Sequence, residues 1–271
     1  MDILAFKASL IIYFVSAIGY MTSLYVKRVV VAKMATWVLT LALLNHTLFF
    51  VFGYAKTGRF PIISLYETLS FFTWVMTAVY LVFQLKTKTR VLGAFVSPIA
   101  FLLMILASVG LGGSVPIPPS MHGKLVMIHA ILAVTGEAFF CLAACAGAMY
   151  LIQEGLIKRK KMSSFSRILP SLTDMDRINH ISLLAGFPFL TIGILAGSIW
   201  AQTVWGSHWQ WDPKQVWTLA AWFFYALIIH QRVAIGWKGH KAAISSLLAF
   251  VALLVSLVAV TLFAVTAHTF I

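Results

Sequence analysis

The sequence predicts an all-α polytopic membrane protein with eight transmembrane helices and both termini on the outer, periplasmic side. Three observations carry that expectation. The 271-residue chain is 61% hydrophobic and 10% charged, with a mean hydropathy of +0.96, a balance foreign to soluble domains. Its apolar residues gather in runs of about 18 or more, long enough to cross the ~30 Å hydrocarbon core as helices. Its Lys and Arg residues crowd into alternate loops. Lipid requires backbone polar groups to be satisfied within a helix or a closed barrel. Run length without strict alternation selects helices. Residues 1–271 are expected to form a single transmembrane domain, with 205–217 as a tryptophan-rich outer loop.

The first run, 8–26, has neither a basic start nor a small-x-small exit, so it is kept as a helix and not as a cleavable signal. The second, 34–54, carries His46 beside Asn45 in mid-bilayer. An outer loop, 55–64, holds Lys56, Arg59 and Pro61. The third run, 65–85, opens with Glu67, for which Arg59 is the natural partner, and 91–109 is the fourth. The outer loop Gly110–Pro119 is too rich in Gly and Pro for regular structure. The fifth run, 125–152, is about 42 Å long as a helix and overshoots the hydrocarbon. It carries Glu137, either protonated or facing a cavity, and Cys141 and Cys145, read as buried packing because no CxxC faces water. A basic cytoplasmic stretch, 153–180, has room for a short surface helix and leads to the sixth run, 181–204. The seventh, 216–233, starts at Asp212-Pro213-Lys214-Gln215: an N-cap, a proline suited to the first helical position, and a Gln able to close a capping box. The eighth run is 242–267.

A net charge of +13 invites a nucleic-acid reading, but the positions of the charges oppose it. With the N-terminus outside, 15 of the 20 Lys and Arg residues fall on the cytoplasmic side and 5 on the outer side. That asymmetry is the positive-inside signal, and it places both termini outside. The basic balance serves insertion and suits anionic lipid.

Function gathers on the outer face. Trp205, Trp209, Trp211 and Trp217 lie within thirteen residues, together with His208 and Asp212. An interfacial aromatic belt would spread such residues around the bundle. This density suggests instead a flat aromatic platform for a planar apolar ligand, with heme as the leading candidate. Asp212 caps the seventh helix, a role compatible with a part in the loop's function.

Histidines in a bilayer are costly, and their depth sorts them. His129 stands one turn above the hydrocarbon on the fifth helix. His268 lies about 39 Å along the eighth, at matched height. The two are either an axial pair for heme iron or two unrelated interfacial residues. His230 lies about 20 Å below Trp217, either as a ligand in the inner leaflet or as a polar residue snorkelling near a helix end. His46 differs from it in depth by about 8 Å and is read as packing or hydrogen bonding. His122 and His208 are spare outer-loop ligands, while His180 and His240 are read as solvated.

The segment Trp205–Trp217 resembles the tryptophan-rich "WWD" signature of heme-handling proteins. The likeness continues through Ala221–Leu227 to His230 and Arg232, and covers Gly186–Gly193, Gly58–Pro61 and Leu65–Glu67. These stretches are similar to the CcsA (ResC) family of System II cytochrome c maturation. The helix count, the Gly-Phe-Pro-Phe-Leu-Thr run and the His230-x-Arg232 helix end favour that family over CcmC of System I. The resemblance implies a multi-pass protein of the inner (plasma) membrane that handles heme b. His129 and His268 would be outer axial ligands and His230 a transmembrane ligand, with Trp205, Trp209, Trp211, Asp212 and Trp217 around the heme. It also implies a CcsB (ResB) partner supplying the other transmembrane ligand, and an apocytochrome c with a CxxCH motif as acceptor, with this chain as part of a cytochrome c synthase. Gln215 stands where the family usually has Glu, and His208 where it often has Tyr. The rival reading is a b-type electron-transfer subunit, which would need two matched intramembrane histidine pairs.

Overall fold

A computed structural model describes residues 3–26, 28–87, 89–111, 123–160 and 169–263. Among them lie eight α-helices and no strand: α1 (Ile3–Val26), α2 (Val29–Thr57), α3 (Leu65–Thr87), α4 (Gly93–Ser108, preceded by a 3₁₀ turn at Arg90–Leu92), α5 (Lys124–Lys158), α6 (Leu172–Trp205), α7 (Pro213–Val233) and α8 (His240–Phe263). Six of these, α1 to α6, are long and apolar enough to cross a membrane. The chain is therefore a polytopic helical membrane protein.

Each helix matches one apolar run, and most extend past it. Apolar runs track the hydrocarbon, whereas helical hydrogen bonding continues into the polar interface. The largest difference is at 153–180. There α5 runs on to Lys158 and α6 begins at Leu172, while 161–168, where a surface helix would have to lie, is outside the described residues. Ser171 caps α6, its Oγ accepting from Asp174 N at 3.1 Å and donating to the Asp174 carboxylate at 2.6 Å.

The chain divides into two compact units, residues 1–114 with 151–175, and residues 115–150 with 176–271. In the first, one face of α1 presents Ser9, Tyr13, Ser16, Tyr20 and Ser23 at three- and four-residue spacing, all buried. These side chains meet polar partners. Tyr20 hydroxyl bonds Thr36 at 2.9 Å and Gln84 at 3.0 Å, and Ser97 donates to Ser16 at 3.1 Å. Interhelical hydrogen bonds of this kind hold helices together where lipid offers no hydrophobic drive. The entry to α3 is a full capping box. Ser64 Oγ accepts from Glu67 N at 3.1 Å, and Glu67 reaches back to Ser64 N at 3.3 Å. The same carboxylate takes both guanidinium nitrogens of Arg59, at 2.8 and 3.1 Å, the pairing expected from the sequence.

The second unit is built on close backbone contact. A Cβ on Gly136 of α5 would stand 2.8 Å from Leu190 N, and one on Gly186 of α6 would stand 2.9 Å from Gly136 O. Only glycine permits the two helices to approach so closely. Cys141 and Cys145 are buried and not joined in a disulfide. Phe140 stacks flat on Tyr225 of α7, with ring centroids 3.5 Å apart.

Candidate functional site

The tryptophan loop connects α6 to α7 within the second unit. Gly206, at φ +72°, lets the chain turn away from the end of α6. Ser207 braces the turn through Trp209, its Oγ donating to Trp209 O at 2.8 Å and accepting from Trp209 N at 3.3 Å. Trp211 holds φ +54°, a left-handed conformation uncommon for a bulky residue, immediately before the cap. Asp212 then caps α7 as expected, accepting from Lys214 N at 2.8 Å. The capping box differs from the expected form. Gln215 accepts from Gln210 N at 2.8 Å, reaching back across the loop. Cap and Gln215 together tie both ends of the Trp211 turn to α7. Burial holds the Lys214 ammonium below its usual pKa range, and Asp212 opposes that shift.

The tryptophans do not share one plane. Trp209 and Trp211 meet edge to face, at 5.7 Å and 89°, while Trp205 packs on Trp200 at 4.9 Å. Trp211 is 78% exposed and Trp217 52% exposed. The loop's tryptophans are thus stepped in place of the flat platform expected from the sequence, because edge-to-face pairs are favoured over face-to-face sandwiches. Trp217, Lys214, Thr218, Glu137, Leu190 and Ser256 line a small, partly open cleft. Glu137 therefore faces a cavity, one of the two readings left open for it.

Hydrogen bonds sort the histidines by what each ring can still do. His129 Nδ1 lies 2.7 Å from the carbonyl of Gly193. A carbonyl only accepts, so Nδ1 carries the proton and Nε2 keeps its lone pair. This is the tautomer, and the type of partner, that orients imidazoles toward metals. Gly197 lies beneath the ring, where a Cβ would stand 2.6 Å from Nδ1. Gly197 makes this slot, and Gly193, where a Cβ would stand 2.9 Å from Ala133 N, lets α6 close on α5; the Gly-x-x-x-Gly spacing is a signal legible in the sequence but missed there. His46 is fully buried, with Tyr13 hydroxyl 3.3 Å from Nδ1 and Ser70 Oγ 2.9 Å from Nε2. It is a hydrogen-bonding residue, as read. His180, read as solvated, instead accepts from Arg232 Nε at 3.1 Å. His122 and His268 lie outside the described residues.

His230 is exposed on α7, thirteen positions past Trp217 in the same unbroken helix, or about 20 Å along it. Two residues on, Arg232 points inward with its side chain 3% exposed. It donates to Asp176 Oδ1 at 3.0 Å, Asp176 O at 3.2 Å and Asn179 Oδ1 at 3.0 Å. Asp176 also accepts from Gly239 N at 2.9 Å. A buried guanidinium needs such partners, and here they join α6, the end of α7 and the turn into α8. This cluster was not legible in the sequence beyond Arg232 itself, since its partners on α6 lie over fifty residues away.

The second unit thus holds a histidine with an oriented, open Nε2, stepped tryptophans and an exposed histidine near the C-terminal end of α7. Neutral imidazoles of this kind fit heme iron, and exposed indoles fit a porphyrin's faces. Comparison with known proteins gives the chain's family. Residues 62–268 match the family model described as Cytochrome C assembly protein. The chain is 31% identical over 239 residues to the cytochrome c biogenesis protein CcsA of Trieres chinensis, covering 76% of this chain and 77% of that one. It is 29% identical over 263 residues to CcsA of Microcystis aeruginosa, covering 79% and 80%. It is 31% identical over 235 residues to CcsA of Guillardia theta, covering 78% and 76%.

Proposed function

Because this chain belongs to the CcsA family of cytochrome c biogenesis proteins, we propose that its part in that process is to carry heme b across the inner membrane and present it to apocytochrome c. In this reading α7 and α8 also span, giving eight transmembrane helices with both termini outside. The 15-to-5 division of Lys and Arg supports it.

His230 takes the iron in the inner part of the bilayer, with a second ligand from a CcsB-like partner. Its exposed position on α7 leaves the ring open to another chain. His129 and His268 take the iron at the outer face. Trp205, Trp209, Trp211 and Trp217 hold the porphyrin, while Asp212 sets the loop that carries them. Each thiol of an apocytochrome CxxCH motif then adds across a vinyl C=C. A C–S bond forms, the proton goes to the neighbouring vinyl carbon, and nothing is oxidised or reduced. With its partner the chain acts as a cytochrome c synthase.

The observation that carries this reading is the bond from His129 Nδ1 to Gly193 O, which leaves Nε2 as the ligating nitrogen. The test is His129→Ala and His268→Ala in a cell that depends on this system. Each is expected to reduce holocytochrome c to background while the protein stays in the membrane. Imidazole supplied from outside should partly restore it in His268→Ala by filling the vacant axial position. Normal maturation in both variants would refute the outer pair.

A further inference from the structure

His208 repeats the arrangement found at His129. Its Nδ1 lies 3.2 Å from the carbonyl of Ser198. That oxygen only accepts, so here too Nδ1 carries the proton and Nε2 keeps its lone pair. Ser198 adds a second tie, its Oγ donating to the His208 carbonyl at 3.3 Å. The residue is exposed and directly precedes the Trp209–Trp211 pair in the chain. The two imidazoles are held by adjacent residues of one helix, Gly197 beneath His129 and Ser198 against His208. Their carbonyl partners, Gly193 and Ser198, are five residues apart, so His208 is anchored about 7.5 Å nearer the outer end of α6. His46 and His180 offer no such nitrogen, since hydroxyls or a guanidinium already engage their rings.

We propose that His208 is a second, exit-side ligand for heme iron, reached from His129 on the way to the acceptor. The proposal rests on the reading of His129 as an outer heme ligand. The exchange breaks one Fe–N bond and makes another. It replaces one neutral imidazole with another, moves no proton, and changes neither the iron's charge nor its oxidation state. Trp209 and Trp211, next to His208 in the chain, offer ring faces and edges at that level. A carbonyl-anchored ring on a loop braced at Ser198 and Gln215 is held in place yet accessible to an incoming cytochrome.

The test uses the full chain purified with its membrane partner and its own heme. The fraction of high-spin iron is read by absorption and resonance Raman spectra. In His129→Ala, His208 is expected to fill the vacated position, so the iron stays low-spin and six-coordinate. In His129→Ala/His208→Ala the outer iron should become high-spin, and added imidazole should return it to low-spin. His208→Gln keeps an N–H donor for the Ser198 carbonyl but offers iron no imidazole. In the His129→Ala background it should behave as His208→Ala does, which separates ligation from docking of the loop. The proposal is overturned if His129→Ala alone is already as high-spin as the double variant, or if the double variant with His208→Gln stays low-spin. If every variant matches the wild-type spectrum, the outer-heme reading fails and this proposal fails with it.

Discussion

A single hydrogen bond decides which nitrogen of His129 can meet a metal, and a single missing methyl decides where the ring sits. Gly193 O holds Nδ1, and Gly197 leaves the space beneath the ring. Gly197→Ala would place a Cβ 2.6 Å from Nδ1, so the ring must swing off the Gly193 carbonyl. We expect that variant to reach the membrane in normal amount and to lose most holocytochrome c formation, with partial rescue by imidazole. Unchanged maturation in Gly197→Ala would mean that His129 needs no fixed orientation. At this scale the sequence located His129 by depth alone. It could not give the tautomer, because the partner carbonyl lies 64 positions away on another helix. His180 was misjudged for the same reason: its partner, Arg232, is 52 positions away.

At the scale of elements, the helix starts carry the most specific information. Asp212 was legible as the cap of α7 because its partner is two residues on. Asp212→Ala should cost about 1 kcal/mol of local stability and loosen the loop. The readout is faster protease cleavage within 206–212 in membranes. Cleavage at the wild-type rate would show that Gln215 alone holds the turn. Glu67 was legible as a partner of Arg59, but its return bond to Ser64 was overlooked even though Ser-x-x-Glu stands in the sequence. Removing it with Glu67→Ala leaves Arg59 without its bidentate partner and α3 without its box. We expect a loss of about 3 kcal/mol, seen as lower accumulation of the protein. Accumulation equal to wild type would show that this corner of the first unit carries little stability. Helix ends were the least legible feature. Hydrophobic runs report where lipid begins, and α5 and α6 continue beyond it as ordinary solvated helix.

For the whole molecule, composition and the distribution of Lys and Arg suffice for a polytopic helical membrane protein, and the helices follow the apolar runs in order. The family follows from motifs spread over several helices. Sidedness is a separate prediction. Reporter fusions at Ile271 and near Lys160 should report the outer and cytoplasmic compartments respectively, and cytoplasmic activity at Ile271 would contradict the proposed topology. On the proposed path heme moves from an inner position at His230, about 20 Å along α7 from Trp217, to an outer one at His129 and His268. Heme content per purified complex, measured together with holocytochrome c yield for His230→Ala and His268→Ala, is the sharpest test of that path. His230→Ala is expected to lose heme from both positions, because supply fails upstream. His268→Ala is expected still to receive heme yet deliver almost none, its iron less well protected from oxidation. Full heme content and normal cytochrome yield in both variants would contradict it.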